Sequence, residues 1–334
     1  MSWLITGGAG YIGAHVVEVL RAAGEPVVVL DDLSTGRAGR LPAEVPLEVG
    51  STLDRKLLDR VLTAHRVTGV VHLAARKQVA ESVGDPLGYY RANVHGLTVL
   101  LEAVAAAGVR RFVFSSSAAV YGMPAADDLT GGLVTEETPC RPMNPYGETK
   151  LAGEWLVRAA GRAHGIGTVC LRYFNVAGAA RTDLVDTGAA NVIPMFFERL
   201  ERGEAPLIFG DDYPTPDGTC VRDYVHVSDL AEAHLAAVRH LQRAGDPAAA
   251  GDLTVNIGTG RGASVRELAD LVAEVTGVKE PAPRVGERRP GDPARVVASA
   301  ALARDRLGFE ARRSLAEMVE SAWAGWRARP QDPA

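Results

Sequence analysis

Tyr146 and Lys150 stand four residues apart, a spacing that puts both side chains on one face of a helix, one turn from each other. Pro145 just ahead of them fits a helix start. A phenol with a pKa of ~10 is a poor base at neutral pH, but a neighbouring ammonium favours the phenolate. The pair is therefore a candidate acid/base couple for a hydroxyl proton. Ser115, Ser116 and Ser117 close the apolar run Phe112 to Ser115, so a hydroxyl, Ser117 foremost, stands where it could hydrogen-bond a reacting oxygen. Near the start of the chain, Gly7, Gly10 and Gly13 form GxxGxxG between an apolar run and a helical pattern. Glycines there let a pyrophosphate approach the backbone and the helix N–H groups. Asp31 ends the next apolar run, where a carboxylate accepts hydrogen bonds from a ribose diol. Asp32 beside it would repel a 2′-phosphate, which favours NAD over NADP. Taken singly, a Tyr and Lys four apart are more often a surface pair. Their place after a dinucleotide loop and a serine-rich strand end gives them chemical meaning, and a positively charged nicotinamide would favour the phenolate further.

The elements that must position these residues are legible as an alternation. Strands are expected at Ser2 to Thr6, Val27 to Leu30, Val70 to Leu73, Phe112 to Ser115 and Thr168 to Tyr173. Helices are expected at Tyr11 to Ala23, about Asp54 to Ala64, Tyr89 to Ala107 and about Pro145 to Ala163. The strands lack polar alternation and so read as buried on both faces. This is the pattern of an α/β, Rossmann-type doubly wound parallel sheet, which binds ligands at the carboxyl ends of its strands. It is expected over residues 1–177, with a smaller, interleaved α/β substrate lobe mainly in 178–334. Beyond Gly178 the chain becomes rich in Gly and Pro, densest at 211–219. A strand at Val221 to Val227, a helix through Leu230 to Leu241 and a strand at Leu253 to Ile257 return the chain toward the first domain near 221–260. The alanine-rich tract 244–251 reads as a connecting loop.

At 334 residues with 47% hydrophobic and 23% charged residues, the chain has enough apolar material for a large core. Its net charge of -5 argues against a nucleic-acid partner, which would need a basic face. Three widely spaced cysteines suggest neither a disulfide framework nor a zinc site, and no metal is expected. No apolar run approaches the ~20 residues of a membrane helix and no leader is apparent, so no membrane partner and a cytoplasmic location are expected. Arg222 follows the turn cluster, and Arg288 and Arg289 precede Pro290-Gly291-Asp292. Arginine grips phosphate bidentately, and two such positions fit a nucleoside diphosphate.

The runs TGGAGYIG, SSSAAVYG, NPYGETK, LRYFNVAG and DDYPTPDGTCVRDYVHV resemble the UDP-glucose 4-epimerases of the extended short-chain dehydrogenases/reductases across nearly the whole chain. The glycine and YxxxK motifs mark only the superfamily; the YPTxDGT and VRDYxHV run is more specific. The resemblance implies Tyr146 as the acid/base, Lys150 as the residue that holds the nicotinamide ribose and lowers the tyrosine pKa, and Ser117 as the residue that orients the sugar hydroxyl. It implies cofactor contacts from Tyr11, Ile12, Leu73, Ala74, Ala75, Lys77, Asn93, Ser115, Tyr173 and Phe174. Lys77 also fits the sheet edge on its own account, whereas Asn93 reads ordinarily as a capping or packing residue. For the substrate, the resemblance gives Arg222 and Arg289 the diphosphate and Asp292 the uridine ribose. Asn175, Asn191 and Val192 would contact the sugar nucleotide, and Leu207, Ile208 and Phe209 the uracil. Lys77 would also approach the sugar nucleotide. A homodimer built on the helices near 90–107 and 146–162 is implied as well, though from sequence alone those faces could pack within one subunit.

Three positions depart from the family pattern. Ala118-Ala119 follow Ser117 where dehydratases of the superfamily need an extra acid/base pair, which argues against dehydration; many epimerases place Thr where Ala119 stands. Gly50-Ser51 replaces a Gly-Asp near the adenine, and Val296 stands where some relatives carry a Tyr that closes the sugar pocket. A wider pocket would admit UDP-N-acetylhexosamines. Other expectations kept open are 4-epimerisation of a pentose or uronic acid, net dehydrogenation that releases NADH, and a non-catalytic NAD-binding module.

Overall fold

The computed structural model describes residues 2–188, 191–244, 249, 251–289 and 292–329. Most of the alanine-rich tract and Pro290-Gly291 lie outside them. The chain begins β1 (Ser2–Thr6), α1 (Tyr11–Ala22), β2 (Val27–Asp31), β3 (Leu47–Val49), α2 (Arg55–Ala64) and β4 (Val67–His72). Next come α3 (Val79–Gly84), α4 (Pro86–Tyr89), a π-helical stretch at Tyr90–His95, α5 (Gly96–Ala106), β5 (Arg111–Ser117), α6 (Pro145–His164) and β6 (Gly167–Tyr173). The remainder contributes β7 (Asn175–Ala177), α7 (Val192–Glu201), β8 (Leu207–Phe209), β9 (Val221–His226), α8 (Val227–Arg243) and β10 (Asp252–Ile257). It ends with β11 (Gly262–Ser264), α9 (Val265–Thr276), β12 (Arg284–Gly286), β13 (Arg295–Val296), α10 (Ala301–Leu307) and α11 (Leu315–Ala328).

Seven strands pair in parallel in the order β10-β6-β5-β4-β1-β2-β3. Alternate residues diverge to two cores, as strands buried on both faces require. Trp3, Ile5, Val29 and Val71 pack with Val16 and Leu20 of α1, Leu230 and Val238 of α8 and Leu307 of α10. Leu4, Val28, Val70 and Phe112 pack with Leu58 of α2, Leu97 and Leu100 of α5 and Val157 of α6. The strand expected at Val70 starts three residues earlier, because Gly69 interrupts the apolar run. A Cβ there would lie 2.4 Å from the Trp3 ring, so glycine makes room for the indole. The order reverses at β1, between β4 and β2, and the crevice at the carboxyl ends of β1 and β4 is where such sheets bind ligands.

A second lobe is built on β9, which pairs with β11, β13 and β7, and on the pair β8–β12. Ile193, Phe196 and Phe197 of α7, Leu268 of α9 and Met318 and Trp326 of α11 form its core. The return near 221–260 is thus narrower than expected: α8 and β10 rejoin the first layer, while the 221–227 strand stays in the second lobe. The helix expected over Tyr89 to Ala107 is interrupted by the π-helical stretch, whose extra residue per turn re-aims the side chains within it. Among the described residues no helix is long and apolar enough to cross a membrane.

Candidate functional site

Two parts of the sheet edge come together at the switch point, and the glycine loop is the first. Gly7 adopts φ 73°, and a Cβ on it would lie 2.7 Å from the Ala74 nitrogen. Gly13 packs the first turn of α1 onto the loop, since a Cβ there would lie 2.1 Å from the Gly7 carbonyl oxygen. Gly10 is different: its missing Cβ would meet only the Gly7 carbonyl oxygen, at 3.2 Å. As N-cap of α1, Gly10 has no side chain to satisfy the first-turn N–H groups, and no acid stands in that turn. Free N–H groups beside open space are what a pyrophosphate requires. The Asp31 carboxylate is buried at the end of β2 and accepts the N–H groups of Ala9 and Leu33, both at 2.9 Å. Burial holds its pKa above the usual carboxylate range. Asp32 is exposed and accepts from the Ser34 N–H at 3.0 Å and its hydroxyl at 2.6 Å, closing a local turn. Ser51 does the same after β3, accepting from the Leu53 N–H at 3.2 Å. These groups fit the adenosine diphosphate end of NAD.

Across the crevice lies the segment after β4, with Leu73 and Ala74 half-buried and Ala75 exposed. It is tied to β1, with the Leu73 N–H donating to the Thr6 carbonyl at 3.0 Å. Asn93, carried by the π-helical stretch, clamps this segment: its side chain accepts from the Arg76 N–H and donates to the Arg76 carbonyl, both at 2.9 Å, and donates to the Thr149 hydroxyl at 3.1 Å. The packing reading of Asn93 describes these contacts, and they hold the strand end that presents exposed Lys77.

The second part is the proton couple. Asn144 caps α6, accepting from the Gly147 N–H at 2.9 Å, so the helix starts with Tyr146 in its first turn above the end of β5. Burial pushes the Tyr146 phenol up, while the hydrogen bond with Ser117 pulls it down. Ser117 also accepts from the Ala119 N–H at 3.2 Å. The Lys150 ammonium is buried, lies 5.9 Å from the Tyr146 ring centroid and donates to the Ser115 carbonyl at 2.7 Å. Burial lowers its pKa to about 8, against a raising effect from Glu154. Behind them the Tyr173 hydroxyl lies 2.6 Å from His234 Nε2. His234 Nδ1 lies 2.8 Å from the Leu230 carbonyl and must donate to it, which leaves Nε2 to accept the phenol proton.

A single cavity of about 560 Å³ joins this couple to the second lobe. Tyr11, Ile12, Lys77, Ser117, Tyr146, Tyr173 and Phe174 line it. The Tyr11 hydroxyl donates to the Gly178 carbonyl at 2.6 Å, which fixes that wall. Asn175, Asn191, Val192, Val296, Leu207, Phe209, Arg222, Arg289 and Asp292 line it as well. Arg289 stacks on Phe209 with its guanidinium carbon 3.8 Å from the ring centroid. Arg222 donates to the Pro293 carbonyl at 2.7 Å and approaches Asp292 at 3.5 Å. Asn191 donates to Asp186 at 2.5 Å. Ile208 is a correction. Side chains alternate along β8, so Leu207 and Phe209 face the cavity and Ile208 is buried in the core with Phe196 and Phe197. Gly7, Gly10, Gly13, Asp31, Asn93, Ser115 and Lys150 do not line this cavity; they lie behind it or at the adjoining crevice. Val79 and Val83, not anticipated from sequence, reach the cavity from α3; their spacing of four just after Lys77 was the available signal. Among the described residues no group of His, Cys, Asp or Glu could hold a metal ion.

Comparison with known proteins gives the family. The family model for the NAD dependent epimerase/dehydratase family matches residues 3–258. The UDP-glucose 4-epimerase of Azospirillum brasilense is 49% identical over 310 residues, covering 92% of this chain and 86% of its own. That of Streptomyces lividans is 45% identical and covers 98% of this chain and 97% of its own. The crystal structure of Brucella ovis UDP-glucose 4-epimerase in complex with NAD superposes with a TM-score of 0.89 at 39% identity, over 96% of this chain and 97% of that one. From the glycine loop to the strand that returns to the sheet, the chain belongs to the NAD dependent epimerase/dehydratase family.

Proposed function

We propose that the protein is a UDP-glucose/UDP-galactose 4-epimerase that works through a 4-keto sugar and returns its bound NAD unchanged at the end of each turnover. The observation that carries this reading is one cavity lined both by Ser117 and Tyr146 and by Arg222, Arg289 and Phe209. A nucleoside diphosphate gripped by the arginines would place a hexose against the phenol. Bound NAD supplies a hydride acceptor that becomes the donor in the return step. Asp31 and the first-turn N–H groups of α1 would hold its adenosine diphosphate, and Lys150 its nicotinamide ribose. Ser117 orients the sugar 4-hydroxyl, and Tyr146 takes its proton as the carbon–hydrogen bond breaks. The hexose would turn within the cavity to present its other face to the returning hydride, and Tyr146 returns the proton to the oxygen. Ala118 and Ala119 beside Ser117 offer no acid/base pair for elimination, so the ketone is reduced rather than dehydrated.

Val296 lines the cavity and is 8% exposed. Its small side chain supports acceptance of UDP-N-acetylhexosamines as well. We assign the protein to the cytoplasm and to a homodimer. For the dimer, the support is that Trp155 on α6, 61% exposed, and Leu87 on α4, 80% exposed, leave apolar side chains facing outward. The test of the main reading is incubation of the as-purified protein with UDP-galactose and no added cofactor. UDP-glucose should form, and Tyr146→Phe should form it orders of magnitude more slowly. Near-normal epimerisation by that variant would overturn the assignment.

A further inference from the structure

Beneath the proton couple lies a charge pair that the mechanism above does not use. Tyr146, Lys150 and Glu154 follow one another at intervals of four on α6, so they share one face of the helix. Glu154 is fully buried and Arg172 on β6 is 5% exposed. Arg172 grips the carboxylate with two nitrogens, Nε at 2.8 Å and Nη2 at 2.7 Å. Ser116 donates to the same carboxylate at 2.5 Å. Arg172 also donates to the Tyr121 hydroxyl at 2.8 Å, and Tyr121 in turn donates to Asn256 on β10 at 2.6 Å. The carboxylate thereby joins α6 to the ends of β5 and β6, directly below the Lys150 ammonium on the Ser115 carbonyl.

We infer that Glu154 is a positioning residue for the proton couple: docked on Arg172 and Ser116, it fixes the turn of α6 that carries Lys150 and supplies the counter-charge that keeps Lys150 an ammonium. A buried pair of this kind gives little net stability compared with apolar packing, so its role is sought in what it does to its neighbours. The other titratable or charged groups around Lys150, Glu154 and Arg172 are His72 on β4, Tyr146 and Arg158 on α6, Tyr173 and Cys170 on β6, and Tyr121, Glu136 and Cys140. Burial holds His72 neutral, with a pKa of about 3, and pushes the phenols and the thiols up. Of the two carboxyl groups near Arg172, Glu154 is the one it grips with two nitrogens, whereas Glu136 accepts from the Asn256 N–H and is pushed up by burial. For Lys150, burial is the lowering effect and Glu154 the raising one. The inference rests on the assignment of Lys150 to the reaction, but its test reads Lys150 directly.

The chain has four lysines, Lys56, Lys77, Lys150 and Lys279, few enough to follow by NMR of lysine labelled at Cε, with the Lys150 signal assigned by its loss in Lys150→Met. In the wild type it should titrate near pH 8. In Glu154→Gln, and in the double variant Glu154→Gln/Arg172→Met, the midpoint should fall by about one pH unit or more. The alkaline limb of the UDP-galactose epimerisation profile should move down with it. The double variant removes both buried charges and so avoids stranding the guanidinium. A wild-type Lys150 midpoint and an unmoved pH profile in the double variant would overturn the inference, even if its thermal midpoint fell. Should the protein prove not to epimerise UDP-galactose, the NMR titration still decides what Glu154 does to Lys150.

Discussion

Replacing Lys150 by Met keeps most of the buried volume and deletes the charge that faces Tyr146. The ammonium lies 5.9 Å from the Tyr146 ring centroid. At an effective dielectric constant of about 20, a unit charge at that distance is worth about 3 kcal/mol to a phenolate. That corresponds to about two units of phenol pKa. Burial already pushes this phenol up, and the Ser117 hydrogen bond that pulls it down carries no charge. The working base is the phenolate, so raising its pKa shrinks the active fraction at any pH below the new value. Lys150→Met should therefore lose about 100-fold in kcat at pH 7, and its rate should climb about tenfold per pH unit where the wild-type rate is flat. The assay is UDP-galactose conversion followed by chromatography between pH 6 and 10, with retained NAD quantified in each preparation. A loss smaller than about fivefold, or a larger loss that is the same at every pH, would refute the electrostatic reasoning and leave Lys150 a purely mechanical support.

Asp31→Asn removes a charged acceptor at the end of β2 and should weaken NAD binding by about 10- to 100-fold, measured by titration calorimetry on stripped protein; unchanged affinity would place the ribose elsewhere. Val296→Tyr should narrow the cavity and abolish turnover of UDP-N-acetylglucosamine while UDP-galactose conversion persists. Parallel loss of both activities would deny Val296 a part in selecting the sugar. Trp155→Arg puts a charge on the exposed face of α6 and should convert a dimer to a monomer in sedimentation analysis; an unchanged sedimentation coefficient would put the interface elsewhere or show that none forms.

Much of the first layer is legible in the sequence because its signals are local. Gly7, Gly10, Gly13 and Asp31 are read from spacing alone, and Tyr146 and Lys150 from helical periodicity. Asn93 could not be placed this way, since the π-helical stretch at Tyr90–His95 shifts its side chain out of the α-helical register that a periodicity argument assumes. Ile208 was misplaced because Leu207-Ile208-Phe209 is apolar throughout, and only the strand reveals which side chain turns into the core. The helices of the second lobe carried readable starts that went unused: Ser264 with Glu267 and Ser314 with Glu317 both form capping boxes at α9 and α11. Glu154 and Arg172 were invisible for another reason. They are 18 residues apart on different elements, and nothing in the chain says that a helix face and a strand end will bring them to 2.7 Å.

The central claim is that hydride leaves C4 of the sugar and returns to the same carbon from the opposite side while Tyr146 moves only the hydroxyl proton. UDP-galactose carrying deuterium at C4, incubated with the as-purified protein in ordinary water, should give UDP-glucose that retains the deuterium at C4. Exchange of that deuterium for solvent hydrogen during inversion would contradict the account.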